Sequence, residues 1–190
     1  TTLTFRNMTV NGTHGFRVRA TGQTVVMENV TANLTTGLFM NLQIQNASPG
    51  EGEDTSNTVT LENCNIFHSG TGNFDPILAV YGKADWTVNI NSTALLKGKD
   101  AKAQAGNTGN NATVYINTGK NVEINLDSGS VIGAARAYMD NNTVSCVYNQ
   151  ANSNNPSANV TLNLLEGSQL RIDDENSNNA RFFTYAGEAD

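Results

Sequence analysis

An eight-residue segment, Leu3 to Val10 (L-T-F-R-N-M-T-V), recurs at Val25 to Ala32 (V-V-M-E-N-V-T-A) and at Val59 to Ile66 (V-T-L-E-N-C-N-I). Apolar residues hold the first, third, sixth and eighth places of each copy, and an asparagine holds the fifth. Alternation with period two on both sides of one Asn describes two short strands, each burying one face, that meet at a tight corner. Asn suits such a corner because it tolerates the left-handed backbone better than other non-glycine residues. An internal repeat with insertions of variable length between copies decides the fold before any other signal. The expected architecture is all-β, a parallel β-helix (β-solenoid) of about six coils with variable loops.

Taken in order, each coil adds a third strand. In the first coil Phe16 and Val18 are expected to point inward, with Arg17 and Arg19 outward. In the second, Leu38, Met40, Leu42 and Ile44 are assigned to the core, and Phe39, Asn41 and Gln43 to the outside. The third coil closes with Ile77 to Tyr81. The fourth restarts at Trp86, with Val88, Ile90 and Leu95 inward and Ser92 in the asparagine place. A polar excursion carrying Lys97, Lys99 and Lys102 leads to the strand around Tyr115. The last two coils align Val122, Ile124, Leu126 and Ile132 with Val160, Leu162, Leu164 and Leu170. There Gly129-Ser130 and Gly167-Ser168 make the corner, since Gly takes positive φ without strain. Gly133 to Met139 is the one stretch that suits a short helical turn. The reading is a single domain over 1–190, with asparagine-ladder coils over 1–115 and looser Gly-Ser coils over 116–190. It is expected to be an excerpt of a longer surface protein.

Composition narrows the function classes. The formal charge is -6, from 11 Lys and Arg against 17 Asp and Glu. Nucleic acid and anionic membrane surfaces both need clustered cations, so neither is an expected partner. No apolar run has membrane-spanning length, so no membrane insertion is expected. Cys64 and Cys146 fall in different strand rows and read as buried free thiols rather than a disulfide.

Asn7, Asn29 and Asn63, with Ser92 as fourth member, are expected to stack as a structural ladder inside the corner, amide to amide. Strand threonines after turn asparagines also create N-x-T triplets at Asn7, Asn29, Asn91 and Asn159, which read as by-products of the fold. His14 and His68 are placed in loops without ligand-spaced partners, so no metal centre is assigned. Glu51, Glu53 and Asp54 form an acidic loop, and Asp173, Asp174 and Glu175 another. These are the weak calcium candidates; no other cofactor is expected. The outward third-strand row offers Arg17, Arg19, Asn41, Gln43, Tyr81, Tyr115 and Tyr148 as ligand-binding candidates, with the opposite register left open by the sequence for Tyr81 and Tyr148. Planar rings, guanidinium groups and amides on a flat sheet suit a polysaccharide, through stacking and hydroxyl recognition.

The repeated coils resemble those of the pectate-lyase-like right-handed β-helix proteins, and most of all the pectate-lyase-like adhesive domains of bacterial cell-surface proteins. The resemblance implies a right-handed parallel β-helix and a secreted or cell-anchored bacterial module without catalytic residues. It would serve adhesion, glycan binding or rigid spacing, with a host or matrix glycan or glycoprotein as partner. The lyases of that fold carry calcium-binding aspartates and a catalytic Arg in the groove. Here Arg17 and Arg19 lie on that row with no aspartate on a neighbouring third strand. The alternative is a polysaccharide lyase or glycoside hydrolase acting on acidic polysaccharide.

Overall fold

The computed structural model describes residues 1–44, 56–70, 75–82, 84–98, 111–117, 121–134, 144–150, 157–172 and 180–186. The acidic candidates Glu51, Glu53 and Asp54, the second cluster Asp173, Asp174 and Glu175, Lys99, Lys102 and the Ile44 side chain lie outside what is described. Sixteen strands are present among the described residues: β1 (Thr2–Gly12), β2 (Phe16–Val18), β3 (Thr24–Leu34), β4 (Met40–Ile44), β5 (Ser56–Glu62), β6 (Asn65–His68), β7 (Leu78–Gly82) and β8 (Asp85–Asn91), followed by β9 (Ala94–Lys97), β10 (Asn111–Asn117), β11 (Asn121–Leu126), β12 (Val131–Ala134), β13 (Val144–Gln150), β14 (Asn159–Leu164), β15 (Gln169–Ile172) and β16 (Ala180–Ala186). Gly133 and Ala134, expected to open a helical turn, end the strand β12.

All pairings are parallel, and they make two sheets. The larger has ten strands in the order β14-β11-β8-β5-β3-β6-β9-β12-β15, with β1 added on β3; the smaller has six in the order β16-β13-β10-β7-β4-β2. This corrects the expected β-helix of about six coils with three strands each. At Asn7 and Asn29 the strands before and after the asparagine are one strand. At Asn63 and Ser92 they end and restart, as β5 and β6 and as β8 and β9, all within one sheet joined through β3. β1 and β3 each run unbroken through their asparagine for 11 residues. Leu3 and Phe5 pair with Val25 and Met27 before the bend, and Met8 and Val10 pair with Val30 and Ala32 after it. The ten-stranded sheet folds along this line, and with the six-stranded sheet it makes a nearly closed, barrel-like wall around one core.

The cause is local. Asn7, Asn29, Asn63 and Ser92 have φ of 53°, 54°, 50° and 47°, all left-handed. One left-handed residue redirects the backbone while the hydrogen-bond ladder resumes on either side, so a single sheet is bent rather than two being divided. In the last two repeats the direction changes within a four-residue turn. Ser130 N–H donates to Asp127 C=O and Ser168 N–H to Leu165 C=O, with Gly129 and Gly167 at positive φ in the third place. Positive φ at that place is what a type II turn demands, and Gly supplies it.

The asparagine ladder is present, but on the exposed side of the bend. Asn29 Nδ2 donates to Asn7 Oδ1 at 2.9 Å, and Asn63 Nδ2 donates to Asn29 Oδ1 at 2.7 Å. These amides bond across neighbouring strands in solvent; they do not satisfy buried turn groups.

The core is filled by the expected alternating positions, among them Val25, Met27, Val30, Val59, Leu61, Ile66, Trp86, Val88, Ile90, Val122 and Ile124. The six-stranded sheet departs from alternation at the entry to β4 and β7 and inside β13. Phe39 and Met40, Ile77 and Leu78, and Cys146 and Val147 are successive residues that all belong to the core. Phe39 is therefore buried, edge-on to Phe16 at 5.6 Å, although alternation assigns it outward. Leu38 packs instead in a second cluster with Ala79, Ala112, Tyr115 and Tyr148. The strand begins at Met40, so period two cannot be extrapolated back through the bend that precedes it. Cys64 and Cys146 are buried free thiols. Burial pushes the Cys64 thiol above its ordinary pKa.

Candidate binding face

The outer surface of the six-stranded sheet is built by register. Arg17 pairs with Asn41, Asn41 with Ala79, Ala79 with Tyr115 and Tyr115 with Tyr148. A second row, two residues further along each strand, runs Gln43, Tyr81, Asn117 and Gln150. Neighbouring strands lie about 4.8 Å apart, which is why side chains in one row touch. The sheet thus brings together six of the seven residues that the sequence nominates. Arg19 lies just past the end of β2 and is exposed.

The two ends of the face differ. At one end the tyrosines serve one another. Tyr115 and Tyr148 stack with ring centroids 5.7 Å apart and planes at 14°, and Tyr81 tilts against Tyr115 at 5.8 Å. Asn117 Nδ2 donates to the Tyr115 hydroxyl at 2.9 Å, and that hydroxyl donates to Gln150 Oε1. Tyr115 is 5% exposed and Tyr148 1%, so neither ring offers the open face that stacking on a sugar needs. Burial raises all three phenols, Tyr81 to about 12. All three are protonated; Tyr115 and Tyr148 are packing residues rather than exposed platforms, and Tyr81 is half-buried against them.

At the other end polar groups reach solvent. Arg17 is exposed, and its Nε (3.1 Å) and Nη2 both donate to Gln43 Oε1. Asn41, beside Arg17 in register, has a buried Oδ1 that accepts no hydrogen bond. The result is an exposed guanidinium whose plane is fixed by an amide, beside a second amide whose oxygen is buried.

A separate group of titratable residues sits inside the molecule. His68 ends β6 and Lys97 ends β9, paired in register, and they are 0% and 3% exposed. Both were expected on the surface, in loops. The missed signal is the inward alternation itself: His68 follows Cys64 and Ile66 at steps of two, and Lys97 follows Leu95. His68 Nδ1 accepts from Gly70 N–H at 2.9 Å, so its Nε2–H donates to Gly37 C=O at 2.8 Å. Burial, assisted by the Lys97 charge, lowers the imidazole to about 4. Burial lowers Lys97 to about 8 against the opposing pull of Asp75. Lys97 Nζ donates to the backbone carbonyl of Asp75, whose Oδ1 accepts from Gly37 N–H at 2.9 Å. This cluster ties the Gly37 bend to β6, β9 and Asp75 and is closed to substrate. His14 is exposed and apart from it.

Among the described residues no three His, Cys, Asp or Glu gather as metal ligands, and no helix is long and apolar enough to cross a membrane. Comparison with known protein families, curated proteins and solved structures gives no match.

Proposed function

We propose that this protein is a non-catalytic attachment module of a secreted or cell-surface bacterial protein, binding an acidic glycan or glycoprotein at the Arg17 end of the six-stranded sheet. The observation that carries the reading is the Arg17–Gln43 contact beside Asn41. Arg presents five donors, and those not held by Gln43 remain for a ligand. A carboxylate on a sugar can take two parallel hydrogen bonds from a guanidinium. Because Gln43 already fixes the plane, less side-chain entropy is lost on binding. The parallel sheets behind this end make a rigid base.

The test is binding of the protein to arrayed acidic and neutral oligosaccharides, with the double variant Arg17→Ala, Arg19→Ala alongside. Affinity for acidic glycans is expected to fall at least ten-fold in the variant, with melting unchanged. Undiminished acidic-glycan binding would remove this face from consideration. Release of an unsaturated, ultraviolet-absorbing product from polygalacturonate would replace attachment with lyase action.

A further inference from the structure

We infer that this protein cuts its own chain between Asp75 and Pro76, with the Asp75 carboxylate as nucleophile and Lys97 as the cation that assists it. The cluster that holds them is closed: His68, Asp75 and Lys97 are 0%, 7% and 3% exposed, and Pro76 is buried. A site without an entrance can act only on the chain that forms it. The bond it encloses is distinctive, since of the three prolines only Pro76 follows an aspartate; Pro49 follows Ser48 and Pro156 follows Asn155. An Asp side chain is tethered next to the carbonyl of its own residue, so the attack is intramolecular and closes a five-membered ring.

Each reacting group is set by its hydrogen bonds. Asp75 Oδ1 accepts from Gly37 N–H at 2.9 Å, and Gly37 is itself held through its C=O by His68 Nε2–H at 2.8 Å. Asp75 Oδ2 is buried and has no partner among the described residues, which leaves one oxygen of a fixed carboxylate free to attack. An unpaired buried acceptor is costly, and in native structures it marks strain or a catalytic role. On the other side Lys97 Nζ donates to the Asp75 carbonyl oxygen, the atom on which charge develops when the carbon is attacked. A donor at that place is worth a factor of about 10²–10³ in rate. Burial lowers Lys97 to about 8, so it is cationic at neutral pH and gives up a proton more readily than a surface lysine.

In the step, Oδ2 bonds to the Asp75 carbonyl carbon as the bond from that carbon to the Pro76 nitrogen breaks. The electron pair stays on the nitrogen, which takes a proton from Lys97 and leaves as a secondary amine. Asp75 is left as a cyclic anhydride. One water opens it to two carboxyl groups, whose protons restore the Lys97 ammonium and charge the Pro76 amine. The sum is hydrolysis of one peptide bond, with nothing oxidised or reduced. The new ends stay in place, because Ile77 N–H donates to Thr113 C=O at 2.9 Å and Ile77 C=O accepts from Met40 N–H at 3.0 Å. The cut therefore shows only once the protein is denatured.

The native chain tests this without any variant. It is held at neutral pH, sampled over days and read by denaturing electrophoresis and mass spectrometry, beside the same chain kept unfolded in guanidinium chloride. Two fragments are expected, 1–75 and 76–190, the second starting Pro76-Ile77-Leu78, with masses that add up to the parent plus one water. They should form at least ten-fold faster in the folded chain, at a rate independent of protein concentration. Asp75→Asn should stop the cut. Lys97→Met, which keeps a buried stem of similar length, should slow it at least ten-fold with the circular dichroism spectrum unchanged. A native chain that stays whole would overturn the inference, as would equal rates in the folded and unfolded chains. A rate that rises with protein concentration would assign the cut to a contaminating protease and overturn it too. A folded Lys97→Met variant that cleaves as fast as the native chain would do the same.

Discussion

Asn29 tests the bend on which the larger sheet depends. Its φ is 54°, and its amide both donates to Asn7 and accepts from Asn63 in a solvent-exposed ladder. Two exposed neutral hydrogen bonds are worth about 1 kcal/mol together, at the low end of the net range. Asn29→Gly loses both and adds about 0.5 kcal/mol through the freer unfolded state, so it should destabilise by about 1.5 kcal/mol. Asn29→Ala loses the same bonds but forces an ordinary L-residue into left-handed backbone, at about 1–2 kcal/mol. Its expected loss is about 2–3 kcal/mol, or roughly 4–12 °C in Tm for a protein of this size. The assay is equilibrium urea denaturation of the native protein and both variants, followed by circular dichroism. Alanine should be the worse of the two by about 0.5–1.5 kcal/mol. Alanine equal to or better than glycine would refute a left-handed bend at this position, and both variants within about 0.5 kcal/mol of native would refute the ladder as well.

Burial and backbone geometry give three more expected outcomes. His68 is neutral when folded and is lowered from its ordinary 6.5 to about 4, so between those values the unfolded state binds more protons than the folded one. Stability should therefore fall as pH drops from about 6.5 to about 4, by on the order of 3 kcal/mol in urea titrations, and His68→Asn should lessen that slope. Gly37→Ala should lower Tm sharply, because φ is +71° and the added Cβ would lie 2.2 Å from the Thr13 backbone oxygen; an unchanged Tm would show that this bend is formed differently. Phe39→Ala should cost about 3–5 kcal/mol as a core truncation, and partly buried Leu38→Ala clearly less; the opposite order would restore the inward Leu38 of simple alternation.

Period-two alternation and the recurring asparagine were enough to read an all-β protein, its parallel strands and most core positions, because both signals are local. The left-handed conformation at Asn7, Asn29, Asn63 and Ser92 was legible for the same reason: it belongs to single residues. The shape of the assembly was not local. Whether a left-handed residue ends a strand or bends one depends on whether the hydrogen-bond ladder resumes beyond it, and only the register of β1 on β3 decides that. Likewise the outward face of Tyr115 was readable, but the facing of Tyr148 and the burial of both were not, since neighbours brought by register stack the rings on each other. His68 and Lys97 look like surface charges in a polar stretch. Tertiary packing placed them inside, where Gly37 and Asp75 supply the hydrogen-bond partners that offset the cost of burying them.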